Sequence, residues 1–414
     1  MSQGESETGF AGWQVLPHDV EPSEWLREPY PWYEERREQG PGIHYDEHEE
    51  VYHIFRYDDV KTFINRADGE YFSAEETKAP EDSPLSPMND IFDFQDPPEH
   101  TNKKTVLQEY FTSAYVNEHY WDSAEDIIEE QFDRALEDGN TFDFVTDVAA
   151  PIPIKIISDM IGFPKERWSD IMNLVNALGV PSPEEFEEGG LTEEERMEQI
   201  LGVMNHIEEL YDTRKDDPQD DLISKLIGKD KANGEVFTRS EVIENSFILI
   251  AAGGATTVNL LGNAVRIFDT EGYYQEIRAG DYNMETVIDE VLRYRSPINQ
   301  LKFVSLQNQD IGGVTIPEGK TVIGWLGSAN RDPRQFDDPD TFVPDRRPNR
   351  HLAFSDGPHF CLGAALARME GKVALLEMFD RFEDLDTHLE ESEPAHNPME
   401  HGFLSLPVTV TPAK

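Results

Sequence analysis

The chain has 414 residues, with 84 acidic against 35 basic side chains, for a formal net charge of −49 at pH 7. Such a balance excludes a nucleic-acid binder that works by neutralising phosphates, and it disfavours a polybasic membrane-surface protein. A hydrophobic content of 38% supplies a core, and the single cysteine, Cys361, leaves no intramolecular disulfide to hold it. The carboxylates run from Glu5 to Glu400 with no EF-hand spacing among them. The reading they favour is adaptation to high salt. At about 1 M the Debye length is about 3 Å, which screens surface self-repulsion.

Residues 1–20 read as an acidic tail, and 21–414 as one domain, although length alone suggests two or three. The opening MSQGESETGFAGW has no basic region followed by an apolar run, so no secretory signal is expected and the protein is expected in the cytoplasm. Val51 to Tyr57 has strand composition. Asp82 to Pro98, with Pro84, Pro87, Pro97 and Pro98, reads as a loop that ends at a helix start. Pro181–Gly190 and Asp216–Asp221 read as further loops.

A long helix is expected from Thr238 to Phe268, opened by a Thr238/Glu241 capping box. Its most apolar window, Phe247 to Ala255, falls short of the roughly 20 residues needed to cross a bilayer, so no membrane is expected. Gly253-Gly254 stands in its middle, and each glycine costs about 1 kcal/mol there against alanine. Either something approaches the backbone, the helix is distorted, or a neighbouring helix packs close. Met284–Tyr294 and Leu362–Phe382 read as helices, with short strands at Lys302–Leu306 and Thr321–Leu326. The fold class is mainly α with a small β-sheet.

Chemistry concentrates in Phe354–Gly363, FSDGPHFCLG. A thiol entering a helix N-terminus is placed to ionise, because free backbone N–H groups favour thiolate. Gly357-Pro358 allows a sharp turn before it. This segment resembles the heme-binding loop of the cytochrome P450 monooxygenases: Phe354, Gly357, His359, Cys361 and Gly363 match its pattern, while Ser355 stands where the family has glycine. Glu290 and Arg293 resemble the family's Glu-x-x-Arg pair, and Arg346 of PDTFVPDR resembles the arginine that completes it. Ala251–Thr257, AAGGATT, resembles the oxygen-activating segment of the long helix, with Ala255 in place of the usual acid.

The resemblance implies a P450-type helical fold with a long central helix over heme b. Cys361 is then the thiolate ligand, and His100, Lys104, Lys302 and His359 contact the propionates. Ala252, Gly253, Phe354 and Gly363 lie against the cofactor, and Thr256 with Gly253 serves oxygen activation. It implies a monomeric monooxygenase that takes electrons from a ferredoxin-type partner and acts on a small, largely apolar molecule. The pocket walls would come from Pro84–Phe94, the loop from Pro181, Ile248–Ala252, Ile298–Leu301 and Phe403-Leu404. With Ala255 for the acid, the alternatives are a peroxide-dependent oxygenating enzyme or a non-turnover heme protein. Lys103, Lys104, Arg331, Arg334, Arg346, Arg347 and Arg350 would make the thiolate side less acidic where a donor docks. A zinc site from His44 and His48 is a weaker reading.

Overall fold

A computed structural model of the chain describes residues 17, 19–77, 91–137, 139–178 and 192–413. The long helix forms as Arg239–Thr270, and its capping box is complete. Glu241 N–H donates to Thr238 Oγ1 at 3.2 Å, and Thr238 N–H donates to the Glu241 carboxylate at 2.8 Å. By length and composition this helix could cross a membrane, but 67% of its apolar window is buried inside the protein. Pro151–Ile161, Glu193–Asp216, Met284–Tyr294 and Ala364–Arg381 all pack against it. Their apolar residues recur at helical spacing. In Met284–Tyr294 the buried side chains include Met284, Val287, Ile288 and Val291, one continuous stripe.

The largest sheet has five strands, in the order Ile43–Asp46, Val51–Ile54, Thr321–Trp325, Gln300–Ser305 and Phe72–Ser73. Val51–Ile54 pairs in parallel with Thr321–Trp325, and the other pairs are antiparallel. Only Val51–Ile54 of the expected Val51–Tyr57 strand stays in the sheet, because a helix starts at Tyr57. The sheet carries its own core around Ile54, Phe63, Phe72 and Val322, separate from the one around the long helix. The expected mainly α architecture with small sheets is what the chain adopts.

Of the expected tail 1–20, residues 1–16 and 18 lie outside the described residues. Asp19 is ion-paired with Arg36, and Val20 packs on the cluster of Trp25, Tyr33 and Trp325. The packed chain therefore begins before residue 21, since an apolar side chain there finds aromatic surface to cover. The loop from Pro181 and most of Pro84–Phe94 also lie outside the described residues; Phe92–Phe94 forms one 3-10 turn.

Candidate functional site

Cys361 sits between two local devices. On one side its N–H donates to the Phe354 carbonyl at 2.8 Å, closing the loop on itself. On the other, helix Ala364–Arg381 begins, and the Gly363 N–H points at the sulfur. The turn between them needs two left-handed residues, Ser355 at φ 62° and Gly357 at φ 68°. At Gly357 a Cβ would also lie 2.9 Å from Asn65 Cα, so only glycine fits. At Gly363 a Cβ would meet nothing within 4 Å, which leaves open space beside the sulfur.

The expected easy ionisation of Cys361 is not what the protein alone provides. Desolvation pushes its thiol up to about 11, against the Gly363 N–H and the cations of Lys104 and Arg368; nearby Asp93 pushes the same way as burial. Yet Cys361 is exposed. Protein atoms crowd the sulfur, yet it stays accessible from one side, where Gly363 leaves open space. A bound metal cation would deprotonate such a thiol outright.

Helix Glu99–Leu107 brings two further expected residues to this loop. The His100 and His359 rings pack together, tilted by 33° with centroids 4.3 Å apart. Both ring nitrogens of His100 and Nε2 of His359 are buried with no hydrogen-bond partner among the described residues. Burial first, then the neighbouring His359, pushes His100 down to about 3. Lys104 donates from Nζ to the carbonyls of Pro358 and Phe360, each at 2.6 Å. Lys302 lies on strand Gln300–Ser305, where burial pushes it down to about 8. Its neighbour Phe303 packs on the His359 ring at 5.5 Å. Orphaned imidazole nitrogens, a desolvated lysine and open space at the thiol together fit a flat group bearing carboxylates.

Asp93 also joins this cluster, its Oδ1 3.6 Å from His359 Nδ1. Nothing in the sequence marks it, because one carboxylate in FDF does not stand out among 84 acids. Phe354 is buried, with the Arg368 guanidinium 4.5 Å from its ring centroid.

On the long helix, Ala252 is exposed and Gly253, Ala255 and Thr256 are half-buried, although the flanking turns are buried. An alanine Cβ at 253 would meet Ile157 at 3.6 Å, an ordinary contact. Close packing therefore does not require glycine there, and the helix runs undistorted through it. This short face is the exposed part of an otherwise buried helix. Thr256 Oγ1 donates to the Ala252 carbonyl at 3.0 Å.

Behind the site, Glu290 is fully buried and takes Arg293 bidentately at 2.8 Å. Arg346 Nε reaches both its oxygens at 3.0 and 3.1 Å, and Asn349 and the Val343 N–H complete the set. The expected cluster is thus present. The expected basic docking face is reduced. Lys103 is buried on Glu241 at 3.2 Å, Arg331 is buried against Tyr30 and Tyr294, and Arg334 forks onto Glu38. Glu241 and Glu38 come from distant segments, and of that group Arg334, Arg347 and Arg350 are exposed, Arg334 already paired. Nor are His44 and His48 brought together. His44 bonds the Arg36 carbonyl and His48 lies on Glu49, and no cluster fit for a metal occurs among the described residues.

Comparison with known proteins agrees with this geometry. The family profile described as Cytochrome P450 matches residues 283–411. Cytochrome P450 109 of Bacillus spizizenii is 31% identical over 391 residues, covering 92% of each chain. Erythromycin C-12 hydroxylase of Saccharopolyspora erythraea is 33% identical over 357 residues, covering 84% of this chain and 85% of its own. The crystal structure of CYP109E1 from Bacillus megaterium in complex with testosterone superposes with a TM-score of 0.83. It is 28% identical and covers 94% of this chain and 99% of its own.

Proposed function

The chain belongs to the cytochrome P450 family, and from that premise we propose that Cys361 is the axial thiolate of a monooxygenase acting on a small, largely apolar organic molecule. Members of the family are oxidoreductases that bind heme b through a cysteine thiolate. Bound here, heme b would supply activation of dioxygen, with thiolate donation favouring O–O cleavage. The single observation carrying the reading is Cys361 itself, exposed yet desolvated at the start of its helix.

The chain's own residues would then act as follows. His100, His359 and Lys302 offer donors to the cofactor's carboxylates, and Lys104 holds the cysteine loop while lying near enough to serve them. Phe354 and Gly363 line the thiolate side. Ala252 and Gly253 leave room opposite, and the Thr256 hydroxyl is the one group on that open face able to hand on a proton. Erythromycin C-12 hydroxylase and the testosterone complex of CYP109E1 support a substrate that is mostly carbon framework. Electrons would come from a ferredoxin-type donor in the cytoplasm, with the protein a monomer. Exposed Phe360, Arg347 and Arg350 are the groups such a donor would meet.

One observation favours a second reading. Position 255 is alanine, so peroxide, which carries its own protons, could replace dioxygen and reductant. Adding peroxide without reductase separates the two. The test of the main reading is the carbon monoxide complex of the reduced protein. Its thiolate-type spectrum should be present in the native protein and abolished in Cys361→Ala. A spectrum that survives the substitution would sink the assignment.

A further inference from the structure

Each turnover of a monooxygenase joins RH, O2, two electrons and two protons into ROH and H2O, so protons must reach the open face of the long helix. No acid stands at 255. Among the described residues, two carboxyls instead bond side chains just beyond Thr256: Glu370 on Thr257, and Glu400 on Asn259.

The two differ in where they open. Glu370 is almost wholly buried between the long helix and Ala364–Arg381, and Thr257 turns away from the face of Thr256 by about 100°. Asn259 follows Thr256 by three residues, so the two side chains share a face about 5–6 Å apart. Glu400 keeps partial exposure and pairs through its backbone with Ile298, in a segment that reads as pocket wall. Its Oε2 accepts from Asn259 Nδ2 at 3.1 Å and its Oε1 from Asn397 Nδ2 at 3.0 Å. Gly402 holds Asn259 in register, since any Cβ there would lie 2.1 Å from Asn259 Oδ1.

We propose that Glu400 is the proton-supplying carboxyl of this enzyme, feeding Thr256 along the Asn259 face in place of the acid missing at 255. This rests on the monooxygenase reading. In each delivery the carboxyl gives up its proton, becomes carboxylate, and is reprotonated from water through its accessible edge. Among the described residues, neutral amides bond it: Asn259 from the helix, Asn397 from its own loop, and Asn299 on its carbonyl. The adjacent His401 is itself held neutral by burial and bonded to Arg295. Burial raises the Glu400 carboxyl more than the bonds from Asn259 and Asn397 lower it, and no cation among the described residues adds to that opposition, which keeps the proton available.

The test compares native heme-loaded protein with Glu400→Gln, Asn259→Ala and Glu370→Gln, using a surrogate ferredoxin and its reductase. Glu400→Gln should lower oxygen consumption about 10²-fold. The native rate should fall as pH rises through the Glu400 titration, and the variant should flatten that fall. Independently of turnover, the infrared band of a protonated buried carboxyl should vanish in Glu400→Gln and should titrate in the native protein. Asn259→Ala should lower the rate while leaving that band in place. An intact thiolate spectrum with unchanged oxygen consumption in both Glu400→Gln and Asn259→Ala overturns the proposal alone, as does a loss confined to Glu370→Gln. Absence of the thiolate spectrum from the native protein overturns the monooxygenase reading and this proposal with it.

Discussion

The ammonium of Lys104 lies 2.6 Å from the carbonyl oxygen of Phe360, the residue immediately before the only cysteine. The same nitrogen holds the Pro358 carbonyl at 2.6 Å. One lysine on helix Glu99–Leu107 therefore fastens a loop more than 250 positions later in the chain. A methionine at 104 would keep the stem and remove both charge-assisted bonds, at about 2–3 kcal/mol. Lys104→Met should release bound heme faster and convert more readily to a form without the thiolate-type spectrum. Following heme transfer to a stronger heme acceptor reads this out, and an unchanged transfer rate would refute the fastening role.

Ser355 and Gly357 make a paired prediction of opposite sign. Ser355 occupies a left-handed conformation, which costs a side-chain-bearing residue about 1–2 kcal/mol. Glycine removes that strain and loses part of the gain to its freer unfolded state, for a net stabilisation of about 0.5–1 kcal/mol. Gly357→Ala meets both the backbone conformation and Asn65 Cα at 2.9 Å. Denaturant midpoints should rise for Ser355→Gly and fall for Gly357→Ala. A fall for both would show that Ser355 contributes something the backbone conformation does not reveal.

How far the sequence anticipates these features depends on whether a residue's role is local. The Thr238/Glu241 capping box and the stripe of Met284–Tyr294 follow from neighbours within two turns, and both form where the spacing places them. The Cys361 loop is legible because closing a turn around a metal-binding thiol requires particular residue types in order. Glu290 with Arg293 is readable as a pair, but three other Glu-x-x-Arg spacings in the chain look the same. The fates of Lys103, Asp93 and Glu400 are not legible. Each depends on burial and on a partner brought from another segment: Glu241, His359 and Asn259. A charged side chain carries no local mark of whether the fold will cover it.

Glu290 is the shared anion of two guanidinium groups inside the protein, Arg293 and Arg346. Glutamine keeps the shape and removes the charge, leaving both cations short of their anion. Breaking a buried pair in this way costs about 3–5 kcal/mol. Glu290→Gln should therefore yield little heme-loaded protein, and its unfolding midpoint should fall well below that of a surface control such as Glu118→Gln. Native heme content in the variant would contradict the view that this cluster supports the cysteine side of the fold.

Glu370 predicts an unusual pH dependence of stability. Burial pushes its carboxyl up to about 8, only partly offset by its bond with Thr257, against an ordinary value of 4.5. Below the ordinary value both folded and unfolded chains hold the proton, and stability from this group is full. Between 4.5 and 8 the folded chain holds more protons than the unfolded one, so stability falls as pH rises. The loss is on the order of 5 kcal/mol. Glu370→Gln removes it, so the variant should exceed the native protein in unfolding midpoint at pH 8 and approach it at pH 5. An equal difference at both pH values would mean that Glu370 is already ionised in the folded protein.

The net charge of −49 makes a last prediction about salt. Surface ion pairs such as Arg239 with Glu208 and Asp212 weaken as salt rises, but exposed pairs contribute about 1 kcal/mol or less each. Repulsion among the surplus carboxylates acts over the whole surface and is relieved by the same screening, since the Debye length shrinks from about 30 Å at 0.01 M to about 3 Å at 1 M. With 84 acidic side chains against 35 basic ones, relief outweighs loss. The unfolding midpoint should therefore rise steadily from dilute buffer to molar sodium chloride. Potassium chloride at equal ionic strength should give nearly the same rise, because the effect is one of screening. A flat or falling midpoint would mean that the acidity serves something other than life in salt, and the carboxylates would then need a partner to explain them.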